Sequence, residues 1–505
     1  MSLNYNFIWL LCYLLVLVGL AGYGFHRLSI VYLYWKNRNN KPQPKARFQE
    51  LPVVTVQLPM FNEKFVVDRL LESVAALDYP QDKLEIQILD DSTDDTTEQC
   101  YRKVEELKSR GFDAVCIHRT DRTGFKAGAL EAATKVAKGE VLLILDADFV
   151  PEPDLLQKTI HFFTDENVGL VQTRWGHINR EYNLLTRIQG MYLDGHFAME
   201  QTARNRSGRF FTFNGTAAIW RKCVIGDAGG WAHDTLTEDM DLSYRVQLRG
   251  WRFIYLNDVV TPAELPVDMD GFKSQQHRWT KGSIQVCQKI LLDIWRSNAP
   301  LKAKVEATTH LTCNYSYLLL ALLCFLVYPI CTQRIPENET VFMWFVNVAL
   351  FFMTSVAVCI FYMSAQIVVR PKSWWKELPY LPLLLTLSVG MAVNNAKAVL
   401  EAIFGHQSAF VRTPKYGVDR KEDRRHVSQL KRNGYRAIKS VVIPVLEIAC
   451  GTFFLNLIII MIRQGHYLSP ILMIPFLGFY YTGFCSLGRM ISNLLPAKQT
   501  AKAKN

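Results

Sequence analysis

The sequence predicts an α/β domain with a parallel sheet, flanked on both sides by helices that cross a membrane. Three observations predict it. Long apolar runs occupy the two ends of the chain and spare the stretch from Gln43 to Pro300. Within that stretch, short β-branched or apolar runs alternate with segments of helical period, the pattern of strands joined by crossover helices. Two of the short runs stop at paired aspartates, Asp90-Asp91 and Asp146-Ala147-Asp148, where parallel sheets bind their ligands.

The first apolar run, about Phe7 to Phe25, is long enough to cross a bilayer. Lys36, Arg38, Lys41, Lys45 and Arg47 follow it, and no basic segment precedes it. A cleaved signal peptide has the reverse polarity, so the run reads as an uncleaved anchor with its N-terminus outside. Further apolar runs lie at Leu311–Tyr328, Val341–Val369, Leu378–Val393, Val441–Ile462 and Leu468–Leu487. Lysine and arginine crowd Arg412–Lys439 and recur at Lys498, Lys502 and Lys504, which places both regions in the cytosol with the central domain. Five crossings fit this orientation if Leu378–Val393 is re-entrant or interfacial and continues into the amphipathic Asn394–Phe404. The expected division is an anchor and juxtamembrane segment at 1–42, a cytosolic domain with interfacial helices at 43–300, and a membrane region at 301–505.

The net charge of +11 suits juxtamembrane positions beside anionic membrane lipids. No basic face carries a reader motif, so nucleic acid is not an expected partner. Eleven cysteines without a C-x-x-C pair read as free thiols. His196, His233 and His277 lack metal-ligand spacing and read as structural or solvent-facing.

Val53–Leu58 is a buried strand that stops at Pro59, and Asn62-Glu63-Lys64 opens a helix to about Leu77. Leu84–Leu89 is the second strand. It ends at Asp90-Asp91-Ser92-Thr93-Asp94, where Asp94 suits the cap of a helix at Asp95–Leu107. Asp90 or Asp91 either joins that capping or contacts the base or ribose of a nucleotide. Gly124-Phe125-Lys126-Ala127-Gly128 precedes another helix. Its glycines permit close backbone approach to phosphate with Lys126 as counter-charge, although an ordinary turn has the same composition. Val141–Leu145 is the third strand.

Asp146 and Asp148 lie just past that strand, where a turn or helix cap also uses aspartate. Following a second strand-end pair, the spacing favours a divalent cation held against a diphosphate. Thr237-Glu238-Asp239-Met240-Asp241 precedes a helix, as a capping box would. In company with the other clusters, Asp239 is favoured as general base, because an alcohol needs a carboxylate within reach to lose its proton. Gln275-x-x-Arg278-Trp279 offers a guanidinium fork for phosphate and a flat apolar face for a sugar ring. An interfacial aromatic belt accounts for Trp279 alone but not for the group.

With these motifs in order, the chain resembles the processive family-2 glycosyltransferases of the cellulose synthase superfamily. The wording is nearest to cellulose-synthase-like A mannan synthases and bacterial relatives at Pro59–Glu63, Asp90–Asp94, Phe125–Leu130, Phe213–Ala217 and Gln275–Trp279. The likeness is strong over about residues 45–300 and looser in the membrane part. It implies a GT-A fold and inverting transfer. Asp90 or Asp91 would touch the nucleotide, with Lys126, Asp146, Gln275 and Arg278 as further contacts. Asp148, with Asp146, would hold a Mg2+ or Mn2+ ion. Asp239, beside Thr237 and Glu238, would be the base. Trp279 would floor the acceptor site at a channel mouth, and Phe213, Asn214 and Gly215 would meet the acceptor. Phe410–Lys415, within 405–437, resembles a gating loop that closes over the nucleotide, with Thr413 and Lys415 as contacts. Arg412 stands where cellulose synthases have valine. Only a short tail follows the last apolar run, so no appended cyclic-di-GMP-binding domain is expected.

The expected function is polymerisation of hexose from UDP-glucose or GDP-mannose into a β-linked glycan that leaves through the membrane helices. Tyr315, Tyr317, Trp344, Asn394 and Asn395 are candidate channel groups, while Trp374 and Trp375 suit interfacial anchoring better. The alternative is a lipid glycosyltransferase that adds one or a few sugars with the same aspartates. The host membrane is expected to be a plasma (inner) or Golgi-type membrane.

Overall fold

The computed structural model describes residues 5–332, 349–350, 352–407, 412–418, 441–464 and 472–494. Trp344, Phe410, Val411, the basic stretch 419–440 and the C-terminal lysines lie outside the described residues.

The sheet has seven strands: β1 (Val54–Met60), β2 (Leu84–Asp90), β3 (Asp113–His118), β4 (Val141–Ile144), β5 (Val168–His177), β6 (Ala218–Arg221) and β7 (Arg252–Ala263). Their order across the sheet is β3-β2-β1-β4-β6-β5-β7. The expectation of a parallel sheet is corrected to a mixed one: β6 pairs antiparallel with both β4 and β5. The other strands all run in one direction. β6 has four residues, too short for a periodic signal to reveal either its existence or its direction.

Pro59 does not end β1, which runs on to Met60. Met60 O accepts from Asp91 N on the β2 side. Pro59 therefore faces β4, beyond that strand's last paired residue, Ile144, and its missing N–H breaks no ladder bond. The helix expected from Asn62 begins later, at Val67, and ends at Ala75. Asn62 instead adopts a left-handed conformation (φ 56°) and turns the chain. The helix expected at Asp95–Leu107 is found at Thr96–Ser109; its N-cap is Asp95, without a side-chain cap bond, and the expected cap Asp94 instead accepts from Thr96 N at 3.0 Å in the preceding turn.

Alternating strand residues feed two cores, one on each face of the sheet. Val54, Val56, Leu58 and Leu143 enter one, and Leu142, Ile144 and Trp220 enter the other, joined there by Phe213 from the loop before β6. The helix Met269–Arg296 joins this domain to the membrane helices. It packs on Glu238–Leu248 on one side and on Ala392–Ile403 on the other. Its buried residues Gln276, Thr280, Ser283, Cys287, Ile290 and Ile294 follow a helical stripe.

Among the described residues, Ile8–Asn37 and Val442–Arg463 are each long and apolar enough to cross a bilayer. Leu301–Thr312 with Tyr315–Tyr328 forms a further apolar segment bent by 52°, and Trp374–Gly390 with Ala392–Ile403 forms another bent by 41°. The latter is the run that reads from sequence as re-entrant or interfacial, and its break falls between Gly390 and Ala392.

Candidate active site

All strands but β6 end on one rim, and a cleft of about 220 Å³ opens there. The reversed direction of β6 has a direct consequence. Its first residue, Ala218, pairs with Ile144 at the end of β4, so the preceding Phe213–Ala217 segment reaches the same rim. Thr216 Oγ1 accepts from Asp146 N at 2.8 Å and closes that junction.

The loops after β1 and β2 are stitched together. Asn62 N donates to Ser92 Oγ, and Thr93 N donates to Asn62 Oδ1, both at 2.8 Å. Of the two aspartates at the end of β2, only Asp91 lines the cleft. Asp90 is fully buried. Its carboxylate takes Thr97 Oγ1 (2.7 Å), Ser92 N (3.0 Å) and His118 Nδ1 (2.7 Å). It ties β2 to β3 and to the following helix. Asp91 accepts a two-point fork from Arg119, at 2.8 Å from Nε and 2.6 Å from Nη2. Arg119 carries no motif and sequence reading misses it. Nearby, the Arg122 guanidinium lies 3.4 Å from the centre of the Phe61 ring, forming an aromatic cleft wall.

Lys126 sits in the first turn of the helix Phe125–Val136 and donates to Asp146 Oδ1 and to Gly215 O (2.8 Å). Asp148 Oδ2 accepts from Lys415 Nζ (2.5 Å) and from Glu264 N (3.2 Å). Burial alone lowers a lysine pKa, but Asp146 and Asp148 outweigh it and hold Lys126 and Lys415 above the usual value. Among the described residues no three His, Cys, Asp or Glu form a ready ligand cluster. Asp146 and Asp148 instead present two carboxylates already facing cationic groups. Glu63, expected only to open a helix, is in the cleft wall. Burial, with Asp148 and Asp146 nearby, pushes its carboxyl up to about 8 against the pull of Arg412 and Lys415.

Asp239 lies in the first turn of the helix that Glu238 begins, and it accepts from Met240 N at 2.8 Å through Oδ1. Burial and then the neighbouring Glu238 push its carboxyl up to about 7. Glu238 is itself raised by burial, with Lys126 opposing. Gly215 has φ 80°, and a β-carbon there would stand 3.1 Å from Asp239 Oδ2. Glycine satisfies the backbone and leaves room for the carboxylate. Thr237 packs on Gly282, where a β-carbon would fall 2.5 Å from Thr237 Cγ2. That contact keys Thr237-Glu238-Asp239 to the helix carrying Gln275, Arg278 and Trp279, all three of which line the cleft.

Arg278 Nη2 donates to Thr413 Oγ1 at 2.8 Å. Segment 412–418 is docked at both ends. Arg412 Nη1 donates to Phe61 O (2.5 Å) and to Asn62 O, so the arginine that replaces valine grips the loop after β1. The buried Glu264 carboxylate accepts from Tyr416 N (2.9 Å), Gly417 N (2.9 Å) and Val418 N (3.2 Å). Glu264 follows β7 and no sequence pattern marks it.

A second cavity of about 170 Å³ adjoins the cleft and reaches toward the membrane helices. Asn214, Asp239 and Trp279 line both spaces. Phe213 lines only the second, and its ring packs edge-on against Trp220 in the core. His196, expected to be structural or solvent-facing, lines this cavity, whereas His277 pairs with Glu401 at 3.1 Å. Tyr317 lines a small void apart from it, and Asn394 and Asn395 are buried between helices, with Asn394 Nδ2 donating to Lys273 O at 3.2 Å.

Comparison with known proteins gives the same picture. A family model described as Glycosyltransferase like family 2 matches residues 52–282, and one described as Cellulose synthase matches 218–464. Over 286 residues the chain is 42% identical to glucomannan 4-beta-mannosyltransferase 2 of Arabidopsis thaliana. Over 277 residues it is 40% identical to glucomannan 4-beta-mannosyltransferase 1 of Oryza sativa subsp. japonica. Each match covers 54% of this chain and 53% of the relative, so the chain spans about half the length of these relatives. A mannosyltransferase from Pyrobaculum calidifontis, solved in complex with GDP-Man and Mn2+, has the same fold with a TM-score of 0.55 at 20% identity, over 78% of this chain and 100% of that one. The domain thus has the GT-A fold, and the chain is an integral membrane protein. Residues 52–282 thus match the family-2 glycosyltransferases, and residues 218–464 match the cellulose synthase family.

Proposed function

We propose that the chain is an inverting hexosyltransferase that builds a β-linked glycan, mannan or glucomannan, from GDP-mannose, with UDP-glucose as the second candidate donor. The observation that carries this reading is the continuity of two spaces across Asp239 and Trp279. The cleft on one side holds phosphate-seeking and acidic groups. The cavity on the other leads toward the membrane helices. The names of the two plant relatives support mannose as the sugar.

Lys126, Arg278 and Lys415 supply positive charge for a diphosphate. Asp91 and the Phe61–Arg122 wall suit the nucleoside end. Asp148, together with Asp146, fits a Mg2+ or Mn2+ ion, since hard oxygens two residues apart at a strand end already gather cationic charge. Such an ion, when bound, supplies charge that stabilises the departing diphosphate. Asp239 takes the proton of the acceptor hydroxyl. Its raised pKa makes it a stronger base than an ordinary carboxylate, and the open space beside Gly215 leaves Oδ2 reachable. Attack by that hydroxyl on the face of the anomeric carbon opposite the diphosphate inverts the centre. Trp279 offers the acceptor ring a flat surface at the boundary of the two spaces.

The domain faces the cytosol of a plasma (inner) or Golgi-type membrane in this reading, where nucleotide sugars are made available. Purified chain in nanodiscs, given Mg2+ or Mn2+ and labelled GDP-mannose or UDP-glucose, turns over one donor and yields products longer than a few sugars. A product confined to lipid with one or two sugars would replace the polymerase with the glycolipid reading.

A further inference from the structure

We infer that His196 is a positioning residue that aims the Asn214 side-chain amide at a hydroxyl of the incoming acceptor glycan. This rests on the glycosyltransferase reading above and adds a residue to it. Three features lead there.

The first is backbone. The long helix that begins at Leu184 and ends at Arg206 is interrupted by a π-helical turn at Gly195–Glu200. Such turns shift the register of side chains and cluster at functional sites. Here the turn places His196 against the second cavity, beside Asn214.

The second is a chain of hydrogen bonds in which each orientation follows from the last. Gln201 Nε2 donates to the backbone oxygen of Thr212 at 2.8 Å, which only an amide nitrogen can do. The same nitrogen lies 2.7 Å from Asn214 Oδ1, so the asparagine must present its oxygen to Gln201. Its nitrogen Nδ2 then faces His196 Nε2 at 3.0 Å. Nδ2 can only donate, so Nε2 must accept and the proton belongs on Nδ1. His196 Nδ1 lies 3.0 Å from Glu200 Oε2, an acceptor for that proton. Glu200 is fixed in turn by Arg27 and by Arg204, the latter at 3.2 Å.

The third is what remains. One Nδ2 hydrogen of Asn214 is spent on His196. The other is left for a side chain that lines both the reaction cleft and the second cavity, next to Asp239 and Trp279. A protonated histidine could not accept from Asn214. Burial, with Arg204 and Arg27 close by, pushes the ring down to about 3, so it stays neutral. Acceptor glycans present hydroxyl oxygens at this boundary, and a fixed amide donor selects their position.

Full-length protein in detergent tests this with two ligands. Binding of β-linked manno- and gluco-oligosaccharides is followed by tryptophan fluorescence, and binding of GDP with Mn2+ by calorimetry. His196→Ala and Asn214→Ala should each weaken oligosaccharide binding about tenfold, with GDP affinity unchanged within about twofold. The double variant should lose no more than either single one, because both changes remove the same contact. His196→Gln, whose amide oxygen sits near the place of Nε2, should recover most of the oligosaccharide affinity. Wild-type oligosaccharide binding by His196→Ala would overturn the inference. So would equal weakening of both ligands, additive losses in the double variant, or a wild-type protein that binds no β-linked oligosaccharide. A wild-type protein that binds oligosaccharide but transfers no sugar would overturn the transferase reading and leave the positioning role standing.

Discussion

Asp239 carries the sharpest expectation at the scale of one residue. A general base must be deprotonated, and burial with Glu238 sets its carboxyl near 7. The transfer rate is therefore expected to fall as pH drops through about 7, whereas an ordinary carboxylate would hold its rate down to about 4. A pH profile at saturating donor reads this directly. Asp239→Asn should lower transfer by about 10²–10⁴ while nucleotide binding stays intact. Full activity in that variant would remove Asp239 from the mechanism. Asp148→Ala should bind GDP with Mn2+ markedly more weakly in calorimetry, and chelation of the metal should stop turnover of the unmodified chain. The neighbouring pair shows how far local reading reaches. Asp90 and Asp91 are equivalent as letters, and nothing local tells them apart. The sheet does: successive residues leave a strand end on opposite sides, so one carboxylate is consumed by His118 and Thr97 while the other meets the cleft.

At the scale of an element, segment 412–418 and the helix Met269–Arg296 matter most. The segment is held by Arg412 on one side and by Glu264 on the other. Its Lys415 and Thr413 stand over Asp148 and Arg278. Glu264→Ala frees three backbone N–H groups and should release the segment. Faster hydrogen exchange at 416–418 and a raised KM for the donor, with a smaller change in kcat, are the expected readouts. No change in either would mean that docking is irrelevant to donor binding. Gly282→Val forces a side chain into Thr237, an overpacking that costs about 1–3 kcal/mol. Thermal unfolding and transfer should both suffer, because the same contact seats Asp239. The sequence pattern exposes Gln275–Trp279 and its glycine, but not which threonine that glycine admits. That pairing spans a long stretch of chain and has no local signature.

At the scale of the whole molecule, the continuity of cleft and second cavity predicts a direction of travel for product. Trp279→Ala should shorten the glycans made, as judged by size analysis, more than it lowers donor turnover. The placement of lysine and arginine predicts a cytosolic catalytic domain. A membrane-impermeant label on the half-exposed Lys108 should react only when the cytosolic face is open. Reaction from the outside would invert the topology.

What the amino-acid sequence determined by itself is local and periodic. Strand-end aspartates, helical stripes and apolar runs are set by alternation, helical period and hydrocarbon thickness, so the α/β domain, its membrane setting and the motif residues that meet in the cleft, such as Asp91, Asp148 and Asp239, were legible. What only the tertiary structure decided depends on contacts between distant segments. The reversed β6 brings Asn214 and Gly215 to the rim. Arg119 claims Asp91, Glu264 holds segment 416–418, and His196 turns from bystander to cavity wall. Each of these is a meeting of residues far apart along the chain, and closing such loops leaves no periodic trace in the letters. Only the folded sheet, with all its carboxyl ends but one aligned, fixes where they converge.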